Sequence, residues 1–263
     1  MPRSKADKEA GLLSATALKS LSRWYKKARY NREYQFSAPQ TGKGNSKEDA
    51  AITLVNKVFY PDMLLMKNLE RKMNDHIGGT ADLVIDKDDE RVIIDTKVSY
   101  SLDTFPTIFD EALNPRYKCQ VNGYMALWGA KKAYVDYCLI DTPANLIDGE
   151  IWKLAKTEKI VSRDMDFAVM KDEQGYILLE SDLAQKMVAE LVMKHIYTAD
   201  ALEAYMMDSA FDLSDDFYGD FTEIPDEERI MRYEVNFDAS LYEKTAQAVD
   251  RIRAFYDQKM KGK

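Results

Sequence analysis

The sequence predicts a mixed α/β protein in which helices flank a central sheet, and three observations lead to this prediction. Segments with apolar residues at helical spacing alternate along the chain with short runs of β-branched residues. Two of these runs, 80–86 and 91–98, lie on either side of "KDDE", which predicts a hairpin. The chain has 263 residues, enough to bury a sizeable core.

The first third of the chain predicts two helices. Residues 8–34 form a basic helical pattern, and "SAPQTGKGNS" (37–46) is typical of a loop. Ser46 is expected to cap the next helix, with Asp49 as its capping-box partner. That helix should continue to about Phe59, with Ala51, Ile52, Val55 and Phe59 on one stripe.

The remaining elements follow the hairpin. A helix is expected from about Pro115 to Gly129, a strand over 131–141 and a long helical pattern over 181–207. Residues 150–180 fit neither period clearly, and the acidic stretch 208–228 predicts a loop. A late strand (229–238) and an amphipathic helix (239–260) complete the order of elements.

The net charge of −8 is an average over opposed segments. Residues 1–43 carry ten Lys or Arg and three acids, whereas 208–228 carry nine acids and no basic residue. Because of this basic segment, the negative net charge does not exclude a nucleic-acid partner. Two cysteines cannot form a disulfide framework, no apolar run is long enough to span a membrane, and no secretory signal is visible, so we expect a cytoplasmic protein.

The hairpin carries charges where a buried strand would normally carry none. With an even loop, Asp86 faces Arg91, Val84 faces Ile93 and Asp82 faces Asp95. Alternation then places Asp82, Asp95 and Lys97 on one face. Such residues are often only the solvated face of a sheet, but opposed carboxylates repel, and a hard divalent cation would relieve that repulsion.

Two further groups could join this site. Glu48 shares the inward stripe of its helix with Ala51 and Ile52, although an acid in a first turn can also simply complement the helix dipole. Gln120 and Tyr124 share one helix face and could bind phosphate or a base, or orient a ligand; a polar-faced core helix is the alternative. Backbone N–H groups at 44–46, ahead of a helix, are a candidate phosphate-binding site.

The order of these motifs resembles the PD-(D/E)xK nuclease superfamily. A helix glutamate, "GTADLVI", "IIDTK" and a helix with "QVNGY" look most like its RecB-like and lambda-exonuclease-like branch in phages. The resemblance implies a restriction-endonuclease-like core, with the motifs spanning 46–140. This chain has Asp95 where the family often has glutamate, and it lacks the cysteine set of the iron–sulfur branch.

The resemblance also implies roles for the site residues. Glu48, Asp82 and Asp95, with the Thr96 carbonyl, would hold Mg²⁺ or Mn²⁺, and Lys97 would be the catalytic lysine. Gln120 and Tyr124 match the family's Q-x-x-x-Y motif. The expected substrate-binding residues are Gln120, Tyr124, Ser46 and three basic residues of the first helix, Arg23, Lys26 and Lys27.

These inferences together predict one nuclease domain over 1–263. It comprises a basic N-terminal segment (1–43), the motif core (46–140), an insertion with the acidic loop (145–228) and a C-terminal strand and helix (229–263). The expected activity is Mg²⁺-dependent exonuclease action on duplex DNA ends, in the bacterial cytoplasm if the protein is phage-encoded. An endonuclease or junction resolvase, and an idle nuclease fold used as a binding module, remain alternatives. The resemblance also allows an annealing protein as partner, and an oligomer.

Overall fold

The computed structural model describes residues 13–32, 38–87, 90–110 and 112–261, and it confirms the mixed α/β class. Helix α1 (Ala15–Tyr30) and helix α2 (Pro39–Phe59) precede a two-stranded ribbon, β1 (Lys72–Met73) and β2 (Gly78–Gly79). The parts of the predicted first helix at 8–12 and 33–34 lie outside the described residues, as does the hairpin turn at 88–89.

The central sheet has four strands in the order β3-β4-β5-β6. Strands β3 (Leu83–Lys87) and β4 (Glu90–Val98) are antiparallel, β5 (Lys132–Cys138) runs parallel to β4, and β6 (Ile230–Asn236) runs antiparallel to β5. The predicted pairs Asp86–Arg91 and Val84–Ile93 are present. The ladder ends at Leu83–Ile94, one pair short of the predicted pair between Asp82 and Asp95.

Helices cover both faces of the sheet because β4 is apolar on both sides, as a central strand must be. Ile94 packs with α2 through residues such as Val55. Ile93 packs on the other face with helix α3 (Pro115–Trp128) through Val121 and Met125. Asn122 of α3 exchanges two hydrogen bonds with the backbone of Asp238, just before helix α7 (Ala239–Lys261).

A separate apolar cluster forms from the segment between β5 and β6. It contains helix α4 (Ala144–Thr157), three short paired segments over 161–179, helix α5 (Asp182–Met193) and helix α6 (Ala199–Asp208). The long helix predicted over 181–207 is therefore two helices. The break follows from Thr198, whose side chain caps α6 by accepting a hydrogen bond from the Ala201 N–H.

The expected acidic loop contains two 3₁₀ turns, Asp215–Tyr218 and Asp226–Arg229. None of the helices within the described ranges has the length and apolar character needed to cross a membrane.

Helix α2 corrects the prediction for 37–46. The helix begins at Pro39, so Ser46 is an interior residue, and its hydroxyl donates to the Lys43 carbonyl instead of capping a helix start. Two glycines and the lack of a side-chain cap make 39–47 a weak helix by sequence. The buried Lys43, whose Nζ donates a 2.9 Å hydrogen bond to the Tyr100 carbonyl, supplies the tertiary contact that holds it.

Candidate active site

Strand β4 carries an aspartate and a lysine into the interior of one cleft. Asp95 and Lys97 alternate with Thr96, so both extend the α3-facing side that begins at Ile93. The Asp95 side chain is 1% exposed, and its Oδ2 lies 2.5 Å from Lys97 Nζ. Lys97 Nζ also lies 4.9 Å from the centre of the Tyr117 ring. A buried carboxylate is thus compensated by one partly exposed lysine.

Asp82 joins this pair from the start of β3. Its Oδ2 accepts hydrogen bonds from the Thr96 N–H at 2.7 Å and from the Thr96 hydroxyl at 3.0 Å. These bonds fix the Asp82 carboxylate beside β4 at the position where the backbone ladder has already ended. The predicted meeting of Asp82, Asp95 and Lys97 is therefore present, with Thr96 as the connecting residue.

Burial and the neighbouring charges shift the pKa values of the three charged side chains in this site. Burial raises the pKa of Asp95 to about 6, against the opposing effect of Lys97, and the neighbouring Asp82 adds to the rise. Burial also raises the pKa of Asp82, although the Thr96 hydrogen bonds oppose it. Burial alone would lower the pKa of Lys97, but Asp95 outweighs it and the net pKa is raised. Lys97 therefore remains charged at neutral pH.

Glu48 reaches the same cleft from α2, as its position on the inward stripe predicted. Its Oε2 forms a 2.9 Å ion pair with Lys67, which follows α2 in an irregular segment. Lys67 also lies 3.8 Å from Asp49 Oδ1. The Glu48 carboxylate thus lines the cleft but is held by a lysine that the sequence did not single out.

Helix α3 supplies the opposite wall. The Gln120 side-chain amide donates a 3.0 Å hydrogen bond to the Tyr124 hydroxyl, so the predicted pair does share one face. Gln120 lines the cleft, whereas Tyr124 is absent from its lining and packs against Gly79. A Cβ at Gly79 would lie 2.5 Å from the Tyr124 ring, so this close approach requires glycine.

The cleft has a volume of about 430 Å³ and an open mouth. Its lining comprises Gly44, Asn45, Glu48, Asp82, Asp95, Thr96, Lys97, Val98, Ser99, Tyr100, Thr104, Tyr117, Gln120 and Tyr137. Ser46, Arg23, Lys26 and Lys27 are not among these residues. The three basic residues lie on α1, which packs on α7 through the edge-to-face contact between Trp24 and Tyr256.

The prediction that backbone N–H groups at 44–46 form a phosphate-binding site is wrong. Because these residues lie inside α2, their N–H groups belong to a continuing helix and do not form a free N-terminus. Gly44 and Asn45 nevertheless line the cleft. Sequence reasoning also missed Tyr117, although its position three residues before Gln120 puts it on the same helix face. No local pattern marked Lys67 or Tyr100.

The donor set fits a hard divalent cation in character. Asp95 Oδ2 is buried, and within the described ranges its close polar neighbour is Lys97 Nζ at 2.5 Å. The Asp82 carboxylate, whose pKa is also raised, lies beside it, and Glu48 lines the same cleft. In the described part of the chain no three acidic, His or Cys side chains are grouped as ligands, and Glu48 is paired with Lys67.

A comparison with solved structures finds chains similar to this one. A phage-related exonuclease from Haemophilus somnus 129PT superposes with a TM-score of 0.64 and 26% identity, covering 99% of this chain and 90% of that one. The alkaline exonuclease LHK-Exo from Laribacter hongkongensis gives 0.49 and 9% identity over 97% and 88% of the two chains. No protein-family model matches the sequence, and a search of curated proteins also finds no match.

The sheet, its flanking helices and the acidic cleft define a nuclease fold of the exonuclease type. The superposition on the phage-related exonuclease confirms the resemblance indicated by "GTADLVI", "IIDTK" and "QVNGY". This chain therefore shares its fold with a phage-related exonuclease, in agreement with the resemblance to the lambda-exonuclease-like branch.

Proposed function

We propose that this protein is a Mg²⁺- or Mn²⁺-dependent DNA exonuclease that acts on duplex ends. The observation that carries the proposal is the buried Asp95–Lys97 pair, 2.5 Å apart, beside the Asp82 carboxylate in one open cleft. A structural core has no need of such a charge cluster, since burying charges costs free energy that an apolar cluster would not require. The likeness to a phage-related exonuclease supports the same activity.

The residues of the cleft would have different roles in phosphodiester hydrolysis. Asp82, Asp95 and Glu48, with the Thr96 carbonyl, are the proposed cation ligands, and Glu48 would exchange its partner Lys67 for the cation. A bound divalent cation supplies water activation and neutralisation of the phosphate charge. Lys97 keeps its proton at neutral pH and offers a positive charge to the negative charge that develops on phosphate.

The walls of the cleft position the substrate. The Gln120 amide donates one hydrogen bond to Tyr124 and lines the cleft, where its remaining N–H would donate to a phosphate oxygen. Tyr117 keeps the lysine head group in place through its ring. These groups act on phosphate and sugar, which suits a nuclease without sequence preference.

Contacts with DNA outside the cleft would come from helix α1 and from other protein chains. Helix α1 carries Arg23, Lys26 and Lys27, and we assign them to phosphate contacts beyond the cleft, since they do not line it. An oligomer, or a single-strand annealing protein as partner, would extend this surface. A role in phage recombination in a bacterial cytoplasm, carried out by one nuclease domain over 1–263, belongs to the same proposal.

The test compares linear duplex DNA with covalently closed circles, with Mg²⁺ and with chelator. The proposal expects progressive loss of the linear substrate only with the cation, while circles stay intact. Rapid cutting of closed circles under the same conditions would contradict the exonuclease proposal and favour the endonuclease alternative. Absence of cleavage on both, with DNA binding retained, would favour the idle binding module.

A further inference from the structure

An apolar groove lies on helix α6, in the unit between β5 and β6. It has a volume of about 550 Å³, and its lining comprises Ala199, Leu202, Glu203, Met206, Met207, Leu213, Asp215, Tyr218 and Phe221. None of these residues lines the nuclease cleft. The Met207 side chain is 67% exposed, an unusual position for a large apolar residue beside other apolar groups. The groove is thus a surface distinct from the candidate active site.

One residue that lines the groove carries a buried polar atom without a partner. The Tyr218 side chain is 8% exposed, and its hydroxyl makes no hydrogen bond with any residue in the described ranges. Leaving a buried hydroxyl unpaired costs free energy, so such a group in a folded protein needs a reason. Because the hydroxyl oxygen is itself enclosed by protein, it is not offered to the groove, and the charge of the rim has to identify the ligand.

The charge around the groove selects the kind of ligand. Residues 195–228 contain no lysine or arginine. Glu203 and Asp215 line the groove itself, and Asp208, Asp212 and Asp216 are exposed nearby. A nucleic-acid backbone would be repelled by this rim, whereas a cationic partner would be attracted.

We infer that this groove binds a basic amphipathic helix of a partner protein. Flexible methionines beside apolar and aromatic residues suit an apolar helix face, because Met side chains adapt to the shape of what they contact. Lysine or arginine residues flanking that face would pair with Glu203 and Asp215.

The occupant differs in chemistry from the substrate proposed for the cleft. The inference uses only the apolar groove and its acidic rim, so it holds whether or not the protein cleaves DNA. A bound helix would bring another protein to a nuclease without blocking its cleft.

The experiment titrates the full-length protein with a synthetic helix of roughly 18 residues, about five turns, carrying Leu on one face and Lys on the other. Isothermal calorimetry measures its affinity. A peptide of the same composition with a scrambled order, and an amphipathic peptide with Glu in place of Lys, serve as peptide controls. The inference expects binding of the basic amphipathic peptide alone, weakened by salt.

Three variants locate the binding. Met207→Glu should abolish it, whereas Met165→Glu, at a methionine 98% exposed outside the groove, should leave it intact. Tyr218→Phe should change neither the melting temperature nor the affinity for the peptide, because the hydroxyl has no partner to lose and is enclosed by protein. Equal affinity in wild type and Met207→Glu, or no binding of the basic peptide, would overturn the inference.

Sedimentation of the wild type separates a partner from a second copy of this chain. A monomer that binds the peptide supports the inference. An oligomer that Met207→Glu, but not Met165→Glu, converts to monomer would show that the groove is covered by another copy, and the partner inference would then be wrong.

Discussion

Lys97 Nζ lies 2.5 Å from Asp95 Oδ2, two residues apart on the central strand β4, and the aspartate is 1% exposed. The pair is flanked by the Asp82 carboxylate and the Tyr117 ring. A buried ion pair is weak evidence of stabilisation, because desolvation offsets most of the attraction between the two charges. The placement of this ion pair in an open cleft instead supports the proposed catalytic role.

The first prediction therefore separates activity from stability. Asp95→Asn and Lys97→Met should each lower the cleavage rate on linear duplex DNA at least a hundredfold, because the first removes a proposed cation ligand and the second removes the positive charge offered to the phosphate. Each should also destabilise the fold, since the remaining charge stays buried without its partner. The double variant should recover stability but not cleavage. Circular dichroism melts and a nuclease assay measure the two effects, and cleavage retained in either single variant would remove these residues from the site.

The second prediction concerns the cation. Mg²⁺ or Mn²⁺ should raise the melting temperature of the wild type, because a ligand at a hundredfold excess over its Kd adds about 2.7 kcal/mol to the unfolding free energy. The shift should shrink in Asp82→Asn. Asp86→Asn is the matched control, since Asp86 lies on the same strand but pairs with Arg91 at the surface. Equal shifts in wild type and Asp82→Asn would mean that the cation binds elsewhere.

Lys67 gives the third prediction, because it competes with the cation for Glu48. Replacing it in Lys67→Met frees the carboxylate and should increase Mn²⁺ affinity up to about fivefold, the scale of a partly exposed ion pair. Calorimetry without DNA measures this directly. Lys72→Met, which removes a lysine paired with Glu70 nearby, should leave the affinity unchanged. A lower affinity in Lys67→Met would show that the lysine supports the site.

The hairpin could be predicted because the residues that determine it lie close together in the sequence. Alternation, β-branched residues and the short turn fixed the faces of Val84, Ile93 and Asp95, and the pairs in the structure agree. Helix α3 was equally predictable, since Pro115 begins it and Gly129 ends it in the left-handed region. The Gln120–Tyr124 hydrogen bond followed from the four-residue spacing.

The features that sequence reasoning missed depend on contacts between distant segments. The start of α2 is a poor helix locally, and only the bond from Lys43 to Tyr100, 57 residues away, explains why it forms. The Lys67–Glu48 pair depends on the path of an irregular segment with no periodic signal. The two-helix break near Thr198 was hidden because apolar residues continue at helical spacing across it.

Lys43 makes the fourth prediction, which concerns pH. Burial lowers the pKa of Lys43 to about 7, with Lys47 also lowering it and Asp141 opposing. Between that value and the ordinary lysine value of 10.5, the unfolded chain holds a proton that the folded chain lacks. The unfolding free energy should therefore rise with pH across this window, at a slope approaching about 1.4 kcal/mol per pH unit.

Urea melts at pH 7 and pH 9 check this sign. Lys43→Met should flatten the rise, while Lys57→Met, at an exposed position of the same helix, should keep it. A rise of equal size in wild type and Lys43→Met would assign it to other groups.

The last prediction concerns the basic helix α1. Arg23, Lys26 and Lys27 lie outside the cleft, so they should contribute affinity for phosphates and no chemistry. Binding to linear duplex should weaken with salt, with a log–log slope of roughly −0.9 per neutralised phosphate. Neutralising the three together should reduce the size of that slope, by up to about 2.7, because counterion release scales with the number of phosphate contacts. The concentration of Mg²⁺ needed for half-maximal cleavage should stay the same, since no cation ligand changes. Fluorescence anisotropy across a salt series measures the slope, with Lys156→Gln, Lys159→Gln and Arg163→Gln together as a control of equal charge on the unit between β5 and β6. An unchanged slope in the α1 variant, or an equal reduction in the control, would remove α1 from the DNA-binding surface.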